Sequence, residues 1–405
     1  MNAFRLYLLL SMIGFFGGGY FVQAQPSRSA PLDAPFGVKK LYLQASFGLV
    51  RYHFTNELLR GDVAAGSITN TTAFSGRFLL GYHLSPHWDI QFGVLRPAAW
   101  VSYEDFNIPL IDRTVWINVW SLSSKYNFKW SERISAFAEA GLSNVAREGF
   151  DFEGSSVAPD AQYLYPLFGA GVMYRLNDKF GLSLSTVYIP PNQKENQPTI
   201  NQLTAGLMFS VGEISEAELE AKASSPYFFP RNTLQLGYTT NSFGFDINRQ
   251  FSGGLPTSLP IFWLGDVRVA QGWMINYQRT LFRSRKHFSL SWGASVAQYK
   301  STQGDAFYAL SAFPVVRWWF WRPAFMDLYF NYSVIGPAFI SQSRIDAIDT
   351  GTQATFQDFM GIGAWLGDQR QWNIDLRITH YSNGNLFTEN AGVAVPLMIS
   401  LGRSF

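Results

Sequence analysis

The stretches Phe168-Gly-Ala-Gly-Val-Met-Tyr-Arg-Leu176 and Phe180-Gly-Leu-Ser-Leu-Ser-Thr-Val-Tyr188 follow one another closely and share an alternating pattern. In each, every second residue is mostly apolar or aromatic, and the residues between are mostly glycine, serine or arginine. Because side chains along a β-strand alternate between two faces, each stretch predicts a strand with one apolar face. The segment 203–211 repeats the pattern. Strands of about nine to eleven residues with this alternation are typical of transmembrane β-barrels, with one face toward lipid and one toward the lumen.

The first 24 residues predict a secretory signal peptide. Arg5 supplies the positive charge, Leu6 to Phe16 form a short apolar core, and Val22-Gln23-Ala24 is a small-residue cleavage site before Gln25. The mature chain is therefore expected outside the cytosol. It contains no cysteine, so disulfides do not stabilise it.

The composition favours a membrane-embedded β-protein. Charged residues make up 15% and aromatic residues 17% of the chain, whereas charged residues usually account for about 25%. No later run reaches the roughly 18 apolar residues that a spanning helix needs. A soluble β-sandwich would show the same alternation, but the export signal and the aromatic residues favour the membrane barrel. The net charge of +2 gives no reason to expect nucleic-acid binding.

An acidic segment interrupts the alternating pattern near the middle of the chain. Residues 213–223 are rich in helix-forming residues, and Ser224-Ser-Pro226 follows them. Each flank has roughly 180 residues, which suits eight strands of about 22 residues including their loops. We therefore predict a signal peptide (1–24), a first barrel (25–212), a helical periplasmic linker (213–226) and a second barrel (227–405). The alternative is one 16-stranded barrel, which would be a channel with 213–226 as an excursion.

The N-terminal half offers little chemistry. His53, His83 and His87 are scattered, and no carboxylate or cysteine stands at metal-ligand spacing from them. We read them as turn or interface histidines. In its general pattern only, this half resembles the small OmpA-like outer-membrane barrels.

The C-terminal half contains the stretch with chemical potential. The last strand alternates from Val393 to Leu401 and ends at Phe405, and a terminal aromatic residue resembles the recognition signal of bacterial outer-membrane barrels. If both ends of an even-stranded barrel are periplasmic, this strand descends and the strand 372–382 ascends. The apolar face of that ascending strand runs into His380 and Ser382. Both side chains are therefore expected to face outward near the outer leaflet.

A serine hydroxyl becomes nucleophilic when a neighbouring base accepts its proton, and histidine suits that role near neutral pH. His380 and Ser382 share a strand face, although their separation makes a hydrogen bond depend on local twist or a bulge. Asn383 and Asn390 could supply amide donors to an oxyanion. Taken alone, this motif is a weak signal, and an interface histidine beside a Ser-Asn-Gly turn is the preferred interpretation.

The motif His380-Tyr-Ser382-Asn-Gly384, followed by Asn390-Ala-Gly392 and the closing strand, resembles the outer-membrane lipid A 3-O-deacylases of the PagL type, also called acyloxyacyl hydrolases. Segments 333–341 and 356–363 resemble strands that precede the active site in that family. The resemblance implies an eight-stranded barrel whose outward serine hydrolyses an ester-linked acyl chain of lipopolysaccharide. It also implies roles for the residues of the motif: Ser382 as nucleophile, His380 as base, Asn390 and Gly392 as the oxyanion region, and Asn383 as support for the turn.

One position departs from the family pattern. The glutamate that orients the histidine in the family corresponds by count to Ala394, and the final strand carries no carboxylate. Glu389, at the end of the preceding loop, is the nearest candidate, and a solvated loop charge is the competing interpretation. Asp375 lies on the opposite face of its strand. Glu389 could substitute for the missing acid, the site could work as a slower dyad, or the protein could be catalytically silent.

We therefore expect a carboxylic ester hydrolase in the bacterial outer membrane, with lipid A of lipopolysaccharide as substrate and the bilayer as surroundings. The alternative is an inert structural or adhesive barrel. No metal and no cofactor are expected, because no ligand cluster or cofactor motif appears. Nucleic acid is not an expected partner, and a homodimer is left open.

Overall fold

The structure is a computed structural model that describes residues 29–106, 111–242, 265–387 and 389–405. The predicted signal peptide lies outside these residues. A short helix α1 (Phe36–Lys39) precedes the first barrel, and the 3₁₀ turns Asn56–Leu58 and Gln193–Glu195 lie in its loops. The strands of the first half are β1 (Leu41–Tyr52), β2 (Ser67–Thr69), β3 (Thr72–His83), β4 (Trp88–Pro97), β5 (Val101–Glu104), β6 (Arg113–Lys129), β7 (Ile134–Glu148), β8 (Phe150–Phe152), β9 (Ser155–Ala158), β10 (Ala161–Arg175), β11 (Phe180–Ile189) and β12 (Ile200–Ser210).

Eight of these strands form the first closed barrel. The order is β6-β4-β3-β1-β12-β11-β10-β7, and pairing of β7 with β6 closes the sheet. The short strands β2 and β5 extend the sheet beyond β6, and β8 pairs with β9 as a separate hairpin. The three alternating stretches quoted from the sequence lie in β10, β11 and β12.

The second half forms a second closed barrel. Its strands are β13 (Asn232–Thr240), β14 (Val267–Arg283), β15 (Phe288–Ser301), β16 (Ala306–Trp321), β17 (Met326–Ile340), β18 (Arg344–Ile345), β19 (Ile348–Asp349), β20 (Ala354–Leu366), β21 (Trp372–Ser382) and β22 (Val393–Ser404). The hairpin β18–β19 stands apart, and the other eight strands pair in chain order until β22 meets β13. The prediction of two eight-stranded barrels is confirmed, and the alternative of one 16-stranded barrel is wrong.

Polar side chains fill both lumens, as expected for barrels of this size. In the first barrel, Arg77 forms a buried ion pair with Glu139 at 2.5 Å. In the second, Asp375 accepts from the Arg377 guanidinium at 2.7 Å and from the Tyr329 hydroxyl at 2.9 Å. The outward faces carry exposed leucine, phenylalanine and tryptophan, which matches a lipid-facing surface.

Between the barrels lies helix α2 (Glu216–Ala223). The Ser215 hydroxyl accepts from the backbone N–H of Glu218 at 3.2 Å and so caps the first turn. Lys179 in the β10–β11 turn contacts the Glu218 carboxylate at 3.1 Å, and Arg283 donates to the Lys222 carbonyl at 3.0 Å. The helix therefore contacts both barrels. Among the residues that the structure describes, no helix is long and apolar enough to cross a membrane.

Candidate active site

Strand β21 has two chemically different faces. Asp375, Arg377 and Tyr381 point into the lumen, where Arg377 donates to Gln235 at 2.8 Å and the Tyr381 and Tyr299 hydroxyls lie 3.3 Å apart. Alternation therefore directs His380 and Ser382 outward, on the same face as the half-exposed Trp372. The two residues singled out from the sequence lie at the loop end of β21, opposite the end that carries the linker.

His380 lies between two neighbouring strands in a single row of the sheet. It pairs with Asp358 of β20 on one side and with Ala394 of β22 on the other. Pairing with Ala394 agrees with the position at which the family glutamate was expected. On the opposite side, the His380 Nδ1 atom lies 3.7 Å from the Asp358 Oδ2 atom, and both side chains are buried. This distance is that of an ion pair rather than a hydrogen bond. The histidine therefore has a carboxylate neighbour, and it comes from β20.

Asp358 is held in place by an irregularity in β17. The pairing of β17 with β20 shifts between Ser333 and Gly336, and the Ile335 N–H in this bulge donates to Asp358 Oδ1 at 2.9 Å. Ile335 has a φ of 58°, in the left-handed region that β-branched residues rarely adopt. Such a conformation costs on the order of 1–3 kcal/mol and is often found at functional sites. The bulge leaves the second carboxylate oxygen directed at His380.

Ser382 pairs with Phe356 of β20 and is partly buried. Within the described part of the chain, no hydrogen bond joins its hydroxyl to His380, whose Nδ1 atom is buried without a hydrogen-bond partner. Residues two apart on a strand are separated by about 6.6 Å between Cα atoms, so contact between their side chains requires rotamer or backbone adjustment. A register shift between Arg377 and Thr379 already bends β21 against β22. Ser382 and His380, the predicted nucleophile and base, thus lie on one face without direct contact.

The asparagines after Ser382 fasten the following loop to itself. The backbone N–H of Asn383 donates to the Asn390 side-chain oxygen at 2.8 Å. The Asn383 side-chain amide donates to the Glu389 carbonyl, and the Asn390 side-chain amide donates to Asn385. The Gly392 carbonyl accepts from the Val267 N–H at 3.2 Å. Asn383, Asn390 and Gly392 therefore lie in the segment after Ser382, where each asparagine amide retains a second N–H.

Glu389 lies on the exposed side of this loop. Its carbonyl is used by Asn383, and its carboxylate interacts electrostatically with Glu148 of the first barrel. No hydrogen bond or ion pair between Glu389 and His380 is found in the described ranges. Of the carboxylates considered from the sequence, Asp375 is buried in the lumen. Asp358 is the carboxylate that the structure brings to the histidine.

The first barrel covers this site. Trp120 of β6 stacks on Phe356, with ring centroids 5.6 Å apart, and donates from Nε1 to the Gly384 carbonyl at 3.1 Å. Asn144 of β7 and Gln162 of β10 both donate to the Leu386 carbonyl, at 2.8 and 3.2 Å. His380 is 5% exposed although it faces outward from its own barrel. The candidate site therefore lies at the contact between the two barrels.

Part of the second barrel matches a known protein family. Residues 266–398 match the model of the family described as lipid A 3-O-deacylase (PagL). The match covers about a third of the chain and contains His380, Ser382, Asp358 and the ordered loop. A comparison with curated protein sequences gives no match.

Among solved structures, the chain is similar to the outer membrane enzyme PagL, with 16% identity, 43% of this chain and 99% of that chain covered, and a TM-score of 0.31. It is also similar to the N-terminal β-barrel domain of Pseudomonas aeruginosa OprF (16% identity, 42% and 96% covered, TM-score 0.26). Neisserial surface protein A gives 15% identity, 42% and 97% coverage and a TM-score of 0.29. The PagL match and the two closed barrels with apolar outer faces identify the chain as an outer-membrane β-barrel protein.

Two features of the candidate site were missed from the sequence. Asp358 stands on the outward stripe of Phe356, Met360 and Ile362, and a single carboxylate on an otherwise apolar stripe was the signal that could have identified it. Trp120 carried no comparable signal, because an outward tryptophan is normal on any membrane barrel.

Proposed function

We propose that the second barrel is an outer-membrane esterase that removes an ester-linked acyl chain from lipid A of lipopolysaccharide. Ser382 is the nucleophile, His380 the general base and Asp358 the acid that orients the histidine. The observation that carries this proposal is the cross-strand pair of Asp358 and His380, whose Oδ2 and Nδ1 atoms lie 3.7 Å apart. Ser382 follows His380 by two residues, and all three lie inside the segment that matches the deacylase family. Lipid A is the proposed substrate because the matching family is described as lipid A 3-O-deacylase, and the partly exposed Ser382 is the group that its ester would reach.

The reaction follows from these groups. With its Nδ1–H directed at Asp358, His380 presents Nε2 as a proton acceptor, and Ser382 Oγ attacks the ester carbonyl as its proton moves to Nε2. The tetrahedral oxyanion accepts hydrogen bonds from amide N–H groups of the loop that contains Asn383, Asn390 and Gly392. Collapse releases the sugar hydroxyl, which takes its proton from His380. Water, deprotonated by the same histidine, then hydrolyses the acyl-serine and releases the fatty acid.

Asp358 takes the role that the sequence assigned to Glu389. Asp358 on β20 would serve the imidazole from the side opposite Ala394 on β22, the position at which the family glutamate was expected. A carboxylate beside Nδ1 stabilises the imidazolium that forms during proton transfer. The 3.7 Å distance closes to a hydrogen bond through small side-chain rotations, as is common when substrate occupies a site that is loose without it.

Removing the nucleophile gives the largest expected effect. In cells that lack any other lipid A deacylase, the wild-type chain should shift the mass of lipid A by one hydroxy fatty acid, and Ser382→Ala should abolish that shift. His380→Ala should have the same effect. Folding is checked by far-ultraviolet circular dichroism of each purified variant. Unchanged lipid A with correctly folded wild-type protein would refute the enzyme proposal.

A second candidate is an inert structural or adhesive barrel. Ala394 at the family's acid position, together with the missing contact between Ser382 and His380, favours this function. The same mass measurement separates the candidates, because an inert barrel leaves lipid A unchanged whether or not Ser382 is present.

A further inference from the structure

The outward face of the first barrel carries three hydrogen-bond donors next to the loop that follows Ser382. Trp120, Asn144 and Gln162, here called the inter-barrel contact, lie on the adjacent strands β6, β7 and β10. Trp120 and Asn144 are direct cross-strand partners. An amide without a hydrogen-bond partner in hydrocarbon costs several kcal/mol, so outward Asn and Gln side chains on a barrel require an explanation.

The explanation is the loop of the second barrel. All three side chains donate to backbone carbonyls of residues 384 and 386, over distances of 2.8 to 3.2 Å. Trp120 is 5% exposed, whereas Leu122, two residues along the same face of β6, is 56% exposed. On β7, Leu142 is also 56% exposed, two residues before the partly buried Asn144. The burial therefore begins at the row that meets the loop and continues to the next outward pair, Asn118 and Ala146.

The loop is shaped to receive this contact. Gly384 has a φ of +64°, and a Cβ atom there would lie 2.9 Å from Trp120 Cζ2. The residue is two positions after Ser382, and the Trp120 ring also stacks on Phe356, the cross-strand partner of Ser382. Trp120 therefore holds both the strand beside the serine and the turn after it.

The other end of the molecule fixes the same arrangement independently. Arg283 of the second barrel donates to the Lys222 carbonyl of α2, and the Ala30 N–H before the first barrel donates to the Phe229 carbonyl at 2.8 Å. Lys179 in turn binds Glu218 of α2. The barrels are thus joined at the linker end as well as at the loop.

We infer that the first barrel is a positioning partner of the active site, and that Trp120 and Asn144 keep the loop after Ser382 in the geometry that the reaction requires. This inference rests on the proposed esterase function. Gly384 and Leu386 lie between Ser382 and Asn390, so a displacement of their carbonyls displaces the serine relative to the amide donors. A misplacement of about 1 Å at a catalytic group costs about 100-fold in rate.

The test uses full-length variants in mixed micelles of detergent and lipid A. Trp120→Ala and Asn144→Leu should each lower kcat by ten-fold or more, with a smaller change in KM, because the loop acts on reacting groups more than on substrate binding. Trp120→Phe keeps the stack on Phe356 and should recover part of the loss. The matched controls are Trp130→Ala, at an exposed tryptophan of the same barrel, and Ala140→Leu, on the same outward face of β7. Both should retain wild-type kcat.

A wild-type kcat in Trp120→Ala and Asn144→Leu, with Ser382→Ala inactive, would overturn the positioning role and leave the esterase proposal intact. An inactive wild-type chain would overturn both. The contact itself has a separate readout, because the sequence contains no cysteine. Asn144→Cys combined with Leu386→Cys should form an intramolecular disulfide on oxidation, detected by non-reducing peptide mapping, whereas the pair Ala140→Cys and Leu386→Cys should not. Failure of the first pair to crosslink would contradict the inter-barrel contact.

Discussion

The two barrels are alike in the polar residues of their lumens and differ in the polar residues on their outward faces. Each lumen contains buried ion pairs, such as Arg77–Glu139 in the first barrel and Arg377–Asp375 in the second. Outside, the second barrel directs Asp358 and His380 toward the first barrel, and the first barrel supplies hydrogen-bond donors to the loop that follows Ser382. Buried ion pairs thus lie in each lumen, whereas the outward polar groups of the candidate site lie where the barrels meet, at the site of the proposed chemistry.

The strongest test of this distinction is the outward acid. Asp358→Asn should lower kcat by about 10³- to 10⁴-fold, because the imidazole loses its orienting charge, as in other Ser-His enzymes. Unfolding by urea should change little, since the Asn side chain still accepts from the Ile335 N–H. The activity is measured as release of hydroxy fatty acid from purified lipopolysaccharide.

A second substitution makes this prediction sharper. Ala394 flanks His380 on the side opposite Asp358, so Ala394→Glu in the Asp358→Asn background should restore part of the activity. Glu389→Gln is the matched control and should leave kcat near that of the wild type. If Glu389→Gln instead produces the larger loss, the loop glutamate is the acid and Asp358 is structural.

The sequence predicted the barrels well because their signal is local. Alternation with period two is visible within each strand, and it also directed His380 and Ser382 to the outer face. The acid was not predictable in the same way. Whether Asp358 lies beside His380 depends on the register between β20 and β21 and on the bulge at Ile335, and neither follows from one strand's own residues.

The contact between the barrels was even less predictable from the sequence than the position of Asp358. Trp120 and Gly384 are 264 positions apart, and nothing in the pattern of either strand refers to the other. Asparagine and glutamine on an outward face were a usable signal, but only after the direction of β7 and β10 was known. The sequence therefore identified the proposed nucleophile and base, and it did not identify the groups whose positions depend on long-range packing.

The next prediction concerns the lumen acid of the first barrel. Glu139→Gln leaves the Arg77 guanidinium buried without its carboxylate partner, so the free energy of unfolding should fall by about 3–5 kcal/mol. Protein that remains folded should retain its kcat, because Glu139 bonds to Arg77 and Ser123 inside the first barrel and not to the loop after Ser382. Urea unfolding in detergent measures the change. Glu132→Gln, in an exposed turn of the same barrel, should change the stability by less than about 0.5 kcal/mol.

If Glu139→Gln lowers kcat without lowering stability, the distinction between lumen and outward polar groups is wrong, because a lumen charge would then affect the reaction rate. The opposite result for Asp358→Asn, a large loss of stability with normal activity, would break it from the other side. Both tests measure kcat and the free energy of unfolding. Asp358→Asn, Glu139→Gln and their controls Glu389→Gln and Glu132→Gln can therefore be compared directly.

The smallest predicted effect is in the linker helix. Ser215→Ala removes the side-chain cap that accepts from the Glu218 N–H, which costs about 1 kcal/mol of helix stability. Hydrogen exchange at the amide of Glu218 should become about five-fold faster, since 1 kcal/mol corresponds to roughly that factor. Ser224→Ala removes only a hydroxyl contact with the Ala221 carbonyl at the other end of the helix, so it should leave exchange in the first turn unchanged.

Measurement of kcat shows whether the linker helix or the inter-barrel contact determines how the two barrels are positioned. If the inter-barrel contact holds the active-site loop, Ser215→Ala should retain wild-type kcat while Trp120→Ala loses at least ten-fold. Equal losses in the two variants would mean that α2 orients the barrels and that Trp120 follows. The linker also binds Lys179 and Arg283, so loosening its first turn leaves the contact between Arg283 and its last turn in place, and the loop should keep its geometry.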